Sequence, residues 1–151
     1  MHPSRKWFAV GEKGPMPNIY IYSWPSLKLY RILRKGTDAM FAHVEFSSTG
    51  KLLASLGGAP DYTLTVWNWQ QQKVVLKAKA FSSEVYRVSF SPYTDDILIT
   101  SGACHIRFWK MAQTFTGLKL QGQIAKFGQL ELSDTSCFFE LLDGKVVSGT
   151  D

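Results

Sequence analysis

Along residues 63–80, "TLTVWNWQQQKVVLKAKA", apolar and polar side chains alternate, break at three glutamines, and alternate again. Period-two alternation sends successive side chains to opposite faces of a strand, so the stretch predicts two β-strands joined by a turn. In the first strand Leu64, Val66 and Asn68 share one face, and Thr65, Trp67 and Trp69 the other. Large apolar groups stand on both faces, as in a sheet covered from each side. Short runs of Val, Ile, Leu, Phe, Tyr and Thr bounded by Gly, Pro, Asp and Ser recur throughout. No segment keeps apolar residues at helical spacing for the length of an ordinary helix, so the fold class is all-β.

The pattern repeats. "AHVEFSSTGKLLASLGG" (42–58) aligns with "YRVSFSPYTDDILITSG" (86–102): Val44 and Phe46 match Val88 and Phe90 at an offset of 44, and Leu53-Ala54-Ser55 matches Leu98-Ile99-Thr100 at 45. Trp67 and Trp109 are 42 apart, and Tyr22 and Trp24 each precede Trp67 and Trp69 by 45. Four strand-like pieces per period of 42 to 47 residues are the signature of a propeller blade. Within 41–84 the pieces are 41–47, 51–56, 63–69 and 73–80. One four-stranded sheet cannot bury both its faces alone, so blades must stack. Trp24, Trp69 and Trp109 are accordingly expected to pack between blades. The expected units are 1–40, 41–84, 85–127 and the start of another at 128–151: about three four-stranded antiparallel blades of a partial propeller. Since propellers close with between about four and eight blades, the expectation is a segment or short form of a longer protein, with apolar faces at its two end blades.

Composition changes this picture little. With 45% hydrophobic and 14% aromatic residues the chain is globular rather than disordered. No apolar run approaches the roughly 20 residues that cross a bilayer, so no membrane partner is implied. The basic N-terminus lacks the apolar centre of a secretory signal, and two cysteines do not make a disulfide framework, so a reduced cytoplasmic setting is expected. The net charge of +5 reads first as a mildly basic solvated surface. The 17 basic residues are scattered, with two denser groupings at Arg31, Arg34, Lys35 and at Lys73, Lys77, Lys79. The alternative is attraction to a polyanion, whether acidic tubulin tails or nucleic acid; without a run of Lys and Arg, nucleic acid is disfavoured.

Reactive groups are sparse. His2, His43 and His105 are the only imidazoles, and none stands at metal-ligand spacing from Cys or another His. Cys104 and His105 are adjacent, so on a strand they face opposite sides and cannot share an ion or form a nucleophile–base pair; a packed thiol and a partly buried imidazole are expected. Asp95 and Asp96 lie in "SPYTDDIL", a hydrophilic turn. The glycine-rich "GEKGPMPN" and "LGGAP" lack the Lys-Ser/Thr of a phosphate loop. No catalytic, cofactor-binding or metal-binding residue is expected, and no cofactor.

The second repeat resembles WD-repeat propellers: Leu53-Ala54-Ser55 ends its second strand, Asp61 stands in the following turn, and Trp67 closes its third strand. In that family a hydrogen-bonded tetrad joins a His from a Gly-His step to a Ser or Thr, an Asp and the Trp. The resemblance implies Ser55, Asp61 and Trp67 as three tetrad members, with Asp61 holding Trp67 and Ser55 in place. Here no Gly-His step occurs, Asn68 follows Trp67, and in the third repeat Ala103 stands at the Asp position. "HPSRKWFAVGEKG", "PDYTLTVWNW", "HIRFWKM" and "TFTGLKLQGQIAKFG" are similar, over nearly the whole chain, to one propeller of the large axonemal WD-repeat proteins; "LKLQG…FG" also resembles echinoderm-type microtubule-associated WD-repeat proteins. That resemblance implies a non-catalytic scaffold in the axoneme of cilia and flagella, part of a complex tethering inner-arm dynein motor domains to doublet microtubules. The implied partners are the other tether components, the dynein heavy chain and tubulin.

Overall fold

The computed structural model describes residues 1–128 and 131–150, and it is built from antiparallel sheets in series. The first sheet has three strands, β1 (Trp7–Gly11), β2 (Ile19–Ser23) and β3 (Leu29–Leu33). The second has four, β4 (Phe41–Phe46), β5 (Leu53–Gly57), β6 (Thr63–Asn68) and β7 (Lys73–Lys79). The third repeats that order with β8 (Val85–Phe90), β9 (Ile97–Gly102), β10 (His105–Thr114) and β11 (Gly117–Ile124). A last pair, β12 (Thr135–Glu140) and β13 (Val146–Thr150), begins a fourth. Every sheet runs in chain order, each strand pairing with the next, so the connections are hairpins and the molecule is a partial β-propeller.

Alternation decides the packing. Leu64, Val66 and Ala54 join Val85, Val88, Leu98 and Trp109 in the core between the second and third sheets. Trp67 and Trp69, from the opposite face, join Ile19, Ile21 and Leu33 of the first sheet. β5, enclosed by β4 and β6 within its sheet and by neighbours on both faces, is buried at all five residues. Each buried indole removes roughly 200 Å² from water, worth about 5 kcal/mol as an upper bound. Both of these cores therefore depend on the second sheet, while a smaller third one joins Ile99 and Ile106 of the third sheet to Phe138 of β12.

Trp24 corrects one expectation. It lies just beyond β2, on the side of the first sheet opposite Ile19 and Ile21, is 53% exposed, and meets only Phe8 edge-on at 6.4 Å among aromatic rings. Its counterpart Trp69 is fully buried because the first sheet covers it: Trp7 and Tyr30 lie within 5.4 and 6.2 Å of its ring, and its Nε1 donates to the Gly50 carbonyl at 2.8 Å. Among the described residues no sheet stands beyond Trp24. At the other end Phe139 and Val147, directly paired across β12 and β13, are 64% and 58% exposed.

Candidate interaction surface

The buried polar groups of the second blade divide into two separate bonded sets. Trp67 Nε1 donates to Ser55 Oγ at 2.8 Å, with both residues 1% exposed. Asp61 is not bonded to either of them, which corrects the expected tetrad. Its carboxylate accepts from Thr37 Oγ1 at 2.8 and 2.9 Å, from the Asp38 amide at 3.3 Å and from Thr63 Oγ1 at 3.1 Å. Asp61 therefore ties its turn to the linker that enters the blade, while Ser55 alone orients the indole. Gly36-Thr37 occupies the linker, and Gly36 is required there: a Cβ would stand 2.8 Å from the Trp67 and Phe41 rings. In the third blade Trp109 Nε1 donates to Thr100 Oγ1 at 2.9 Å, the same indole–hydroxyl pair one repeat on. With Ala103 at the aspartate position, the third blade has the pair without a carboxylate tie; the Ala103 amide donates to the linker carbonyl of Glu84 at 2.9 Å instead.

Reactive side chains are dispersed or engaged. Cys104, expected to be packed, is exposed in the β9–β10 turn, where its backbone takes a positive φ of 57°. Partial desolvation and the neighbouring Asp134 carboxylate push its thiol above the ordinary value, which disfavours the thiolate a nucleophile needs. His105 is 1% exposed rather than partly buried, stacked on Phe81 at 3.7 Å with Nδ1 at 2.9 Å from the Ala103 carbonyl. Desolvation lowers the pKa of His105, of His43 and of His2. His2 clamps the N-terminal segment onto the second blade: its Nε2 lies 3.1 Å from the Gly50 carbonyl and its ring meets Trp7, Phe46 and Trp69 edge-on. Among the described residues no group of three or more His, Cys, Asp or Glu could hold a metal ion, and no helix is long and apolar enough to cross a membrane.

Polar contacts between blades were not legible as such in the sequence. Asp95, expected only to solvate a turn, accepts from Ser47 Oγ at 3.0 Å, Ser48 Oγ at 3.3 Å, the Thr49 amide at 3.4 Å and the Thr49 hydroxyl. Ser89 donates to Glu45 at 2.6 Å across the same pair of blades. The signal was Ser47 matching Ser91 at the start of each turn, one period apart. Asp96, by contrast, bonds locally to Thr94.

The chain superposes on the crystallised β-propeller domain of Myceliophteria thermophila Cps50 (Swd1) with a TM-score of 0.78 at 12% identity, covering 99% of this chain and 49% of that one. This likeness establishes the propeller fold and nothing more. Cilia- and flagella-associated protein 44 of Mus musculus is 52% identical over 151 residues, all of this chain, and the Chlamydomonas reinhardtii protein of the same name is 54% identical over 158. The chain matches one segment of cilia- and flagella-associated protein 44. It spans 8% and 9% of the length of these two relatives. No family model matches it. Trp67, Ser55 and the blade period thus belong to a propeller segment resembling one in these cilia- and flagella-associated proteins, and the candidate functional surface is what this segment presents outward.

Proposed function

We propose that the chain is a non-catalytic scaffold of the motile axoneme, contributing propeller surface to a complex that tethers inner-arm dynein motor domains to doublet microtubules and so supports ciliary and flagellar motility. The observation that carries this reading is the match of this whole chain, above half identity, to a segment of cilia- and flagella-associated proteins from an animal and a green alga. Support for the tether itself is the resemblance of the quoted segments to large axonemal WD-repeat proteins. The geometry agrees with a scaffold: polar side chains tie the incoming linker to the second blade and the second blade to the third. Its partners on this reading are the other tether components, the dynein heavy chain and tubulin.

Proximity labelling from the chain in motile cilia tests this. The expected result is enrichment of dynein heavy chain and tether components over other axonemal proteins. Labelling confined to cytoplasmic proteins outside the cilium would overturn it.

A further inference from the structure

The two basic groupings that lie far apart in the sequence meet in space. Arg31 and Lys73, and Lys35 and Lys77, are each 42 residues apart, one blade period, and hydrogen bonds linking Arg31, Ile32 and Lys35 with Gln70, Gln72 and Lys77 bring β3 and the residues after it to the β6–β7 hairpin. Lys77 Nζ donates to the Lys35 carbonyl at 3.3 Å, and Arg31 Nε to the Gln70 carbonyl at 3.0 Å. Lys77 and Lys79 pair with Thr65 and Thr63, which places both on the Trp67 face of the sheet, turned toward the first blade. Arg34, Lys35, Lys77 and Lys79 are all exposed. Residues 24–37 and 62–83, which supply β3, β6 and β7, hold seven Lys and Arg and no Asp or Glu. Among the described residues the one ion pair is Lys145–Asp143, so none of these seven cations is neutralised by an acid.

We propose that the seam between β3 and β7 is a docking surface for a glutamate-rich peptide segment of a partner protein. Uncompensated positive charge raises the local concentration of an anionic partner. Two further features favour an extended peptide. β7 is the outermost strand of its sheet, so one edge offers unpaired backbone groups to an added strand. Lys77 and Lys79 repeat at the two-residue spacing at which an extended chain presents side chains on one face. Single-stranded nucleic acid would need free aromatic faces for base stacking. Trp67 and Trp69 beside the seam are buried, and the Tyr30 ring is covered by the Arg31 guanidinium at 4.1 Å. The inference does not depend on the ciliary reading, because it rests on the charge and geometry of this seam.

The test is a fluorescence-anisotropy titration of the full 151-residue chain with three labelled probes: an octaglutamate peptide, an octaserine peptide and an octathymidine. Octaglutamate is expected to bind best and to weaken several-fold as salt rises to physiological strength. Lys77→Glu with Lys79→Glu is expected to weaken it about tenfold, and Arg34→Glu with Lys35→Glu similarly. Lys119→Glu with Lys126→Glu, an equal charge change on and beyond β11, is expected to change it less than about twofold. Melting curves confirm folding, and if one seam variant does not fold the other carries the test. Equal losses in seam and control variants, tighter binding of octathymidine, or no octaglutamate binding at low salt would each overturn the proposal.

Discussion

Replacing Ser55 with Ala removes one oxygen atom, and the consequence follows from its surroundings. The Trp67 indole N–H, 1% exposed as a residue, loses its acceptor at 2.8 Å and has no water to turn to. An orphaned buried donor costs about 1–3 kcal/mol, and an alanine at this site adds little cavity. Asp61→Ala acts on a different set: Thr37, Thr63 and the Asp38 amide lose a charged acceptor in a half-buried turn, for about 1–2 kcal/mol. The two sets share no hydrogen bond, so in the double variant the losses add to within about 0.5 kcal/mol. Urea unfolding of the two single variants and the double, followed by far-UV circular dichroism, measures the cycle. A coupling of about 1 kcal/mol or more would place Asp61 in one network with Ser55 and Trp67 and refute the division drawn from the structure. A Ser55→Ala cost below about 0.5 kcal/mol would refute the anchoring role of the bond.

Other consequences are as direct. Gly36→Ala drives a methyl group to 2.8 Å from Phe41 and Trp67 and is expected to cost about 1–3 kcal/mol in the same unfolding assay. Thr100→Val keeps the shape of the side chain but orphans the Trp109 N–H, for about 1–3 kcal/mol; near-neutrality would show that the repeated indole–hydroxyl pair is dispensable in the third blade. The histidine pKa values lowered in the fold make the unfolded chain bind more protons below 6.5, so stability is full above that pH and falls as pH drops through it; melting temperatures recorded across pH 6.5 check the sign. Phe139→Lys places a charge on the open face of the last pair of strands and is expected to reduce self-association in light scattering.

Residues whose environment is set within one blade or between two blades of this chain were readable from alternation and period. Leu64, Val66 and Trp67 took opposite faces as the pattern required, and Trp109 joined the core one repeat on. Periodicity equates Trp24 with Trp69, while burial depends on a neighbouring sheet, which among the described residues covers one side of the first blade. Asp61 departs from the expected tetrad for another reason: its carboxylate accepts from Thr37, a linker hydroxyl standing where the WD-repeat pattern has an imidazole. The basic seam was latent in the sequence as two cation groups one period apart, but a linear search for a run of Lys and Arg does not find charges that only stacking brings together. Cys104, in the tight β9–β10 turn rather than on a strand, is exposed instead of packed.

On the proposed function the chain does its work as a propeller surface inside the axoneme. An axonemal density map of motile cilia carrying a tagged chain tests it most directly. Tag density is expected beside the inner-arm dynein motor domains, on the side facing the doublet microtubule. Tag density elsewhere on the doublet, or none in an axoneme whose cell expresses the chain, would contradict it.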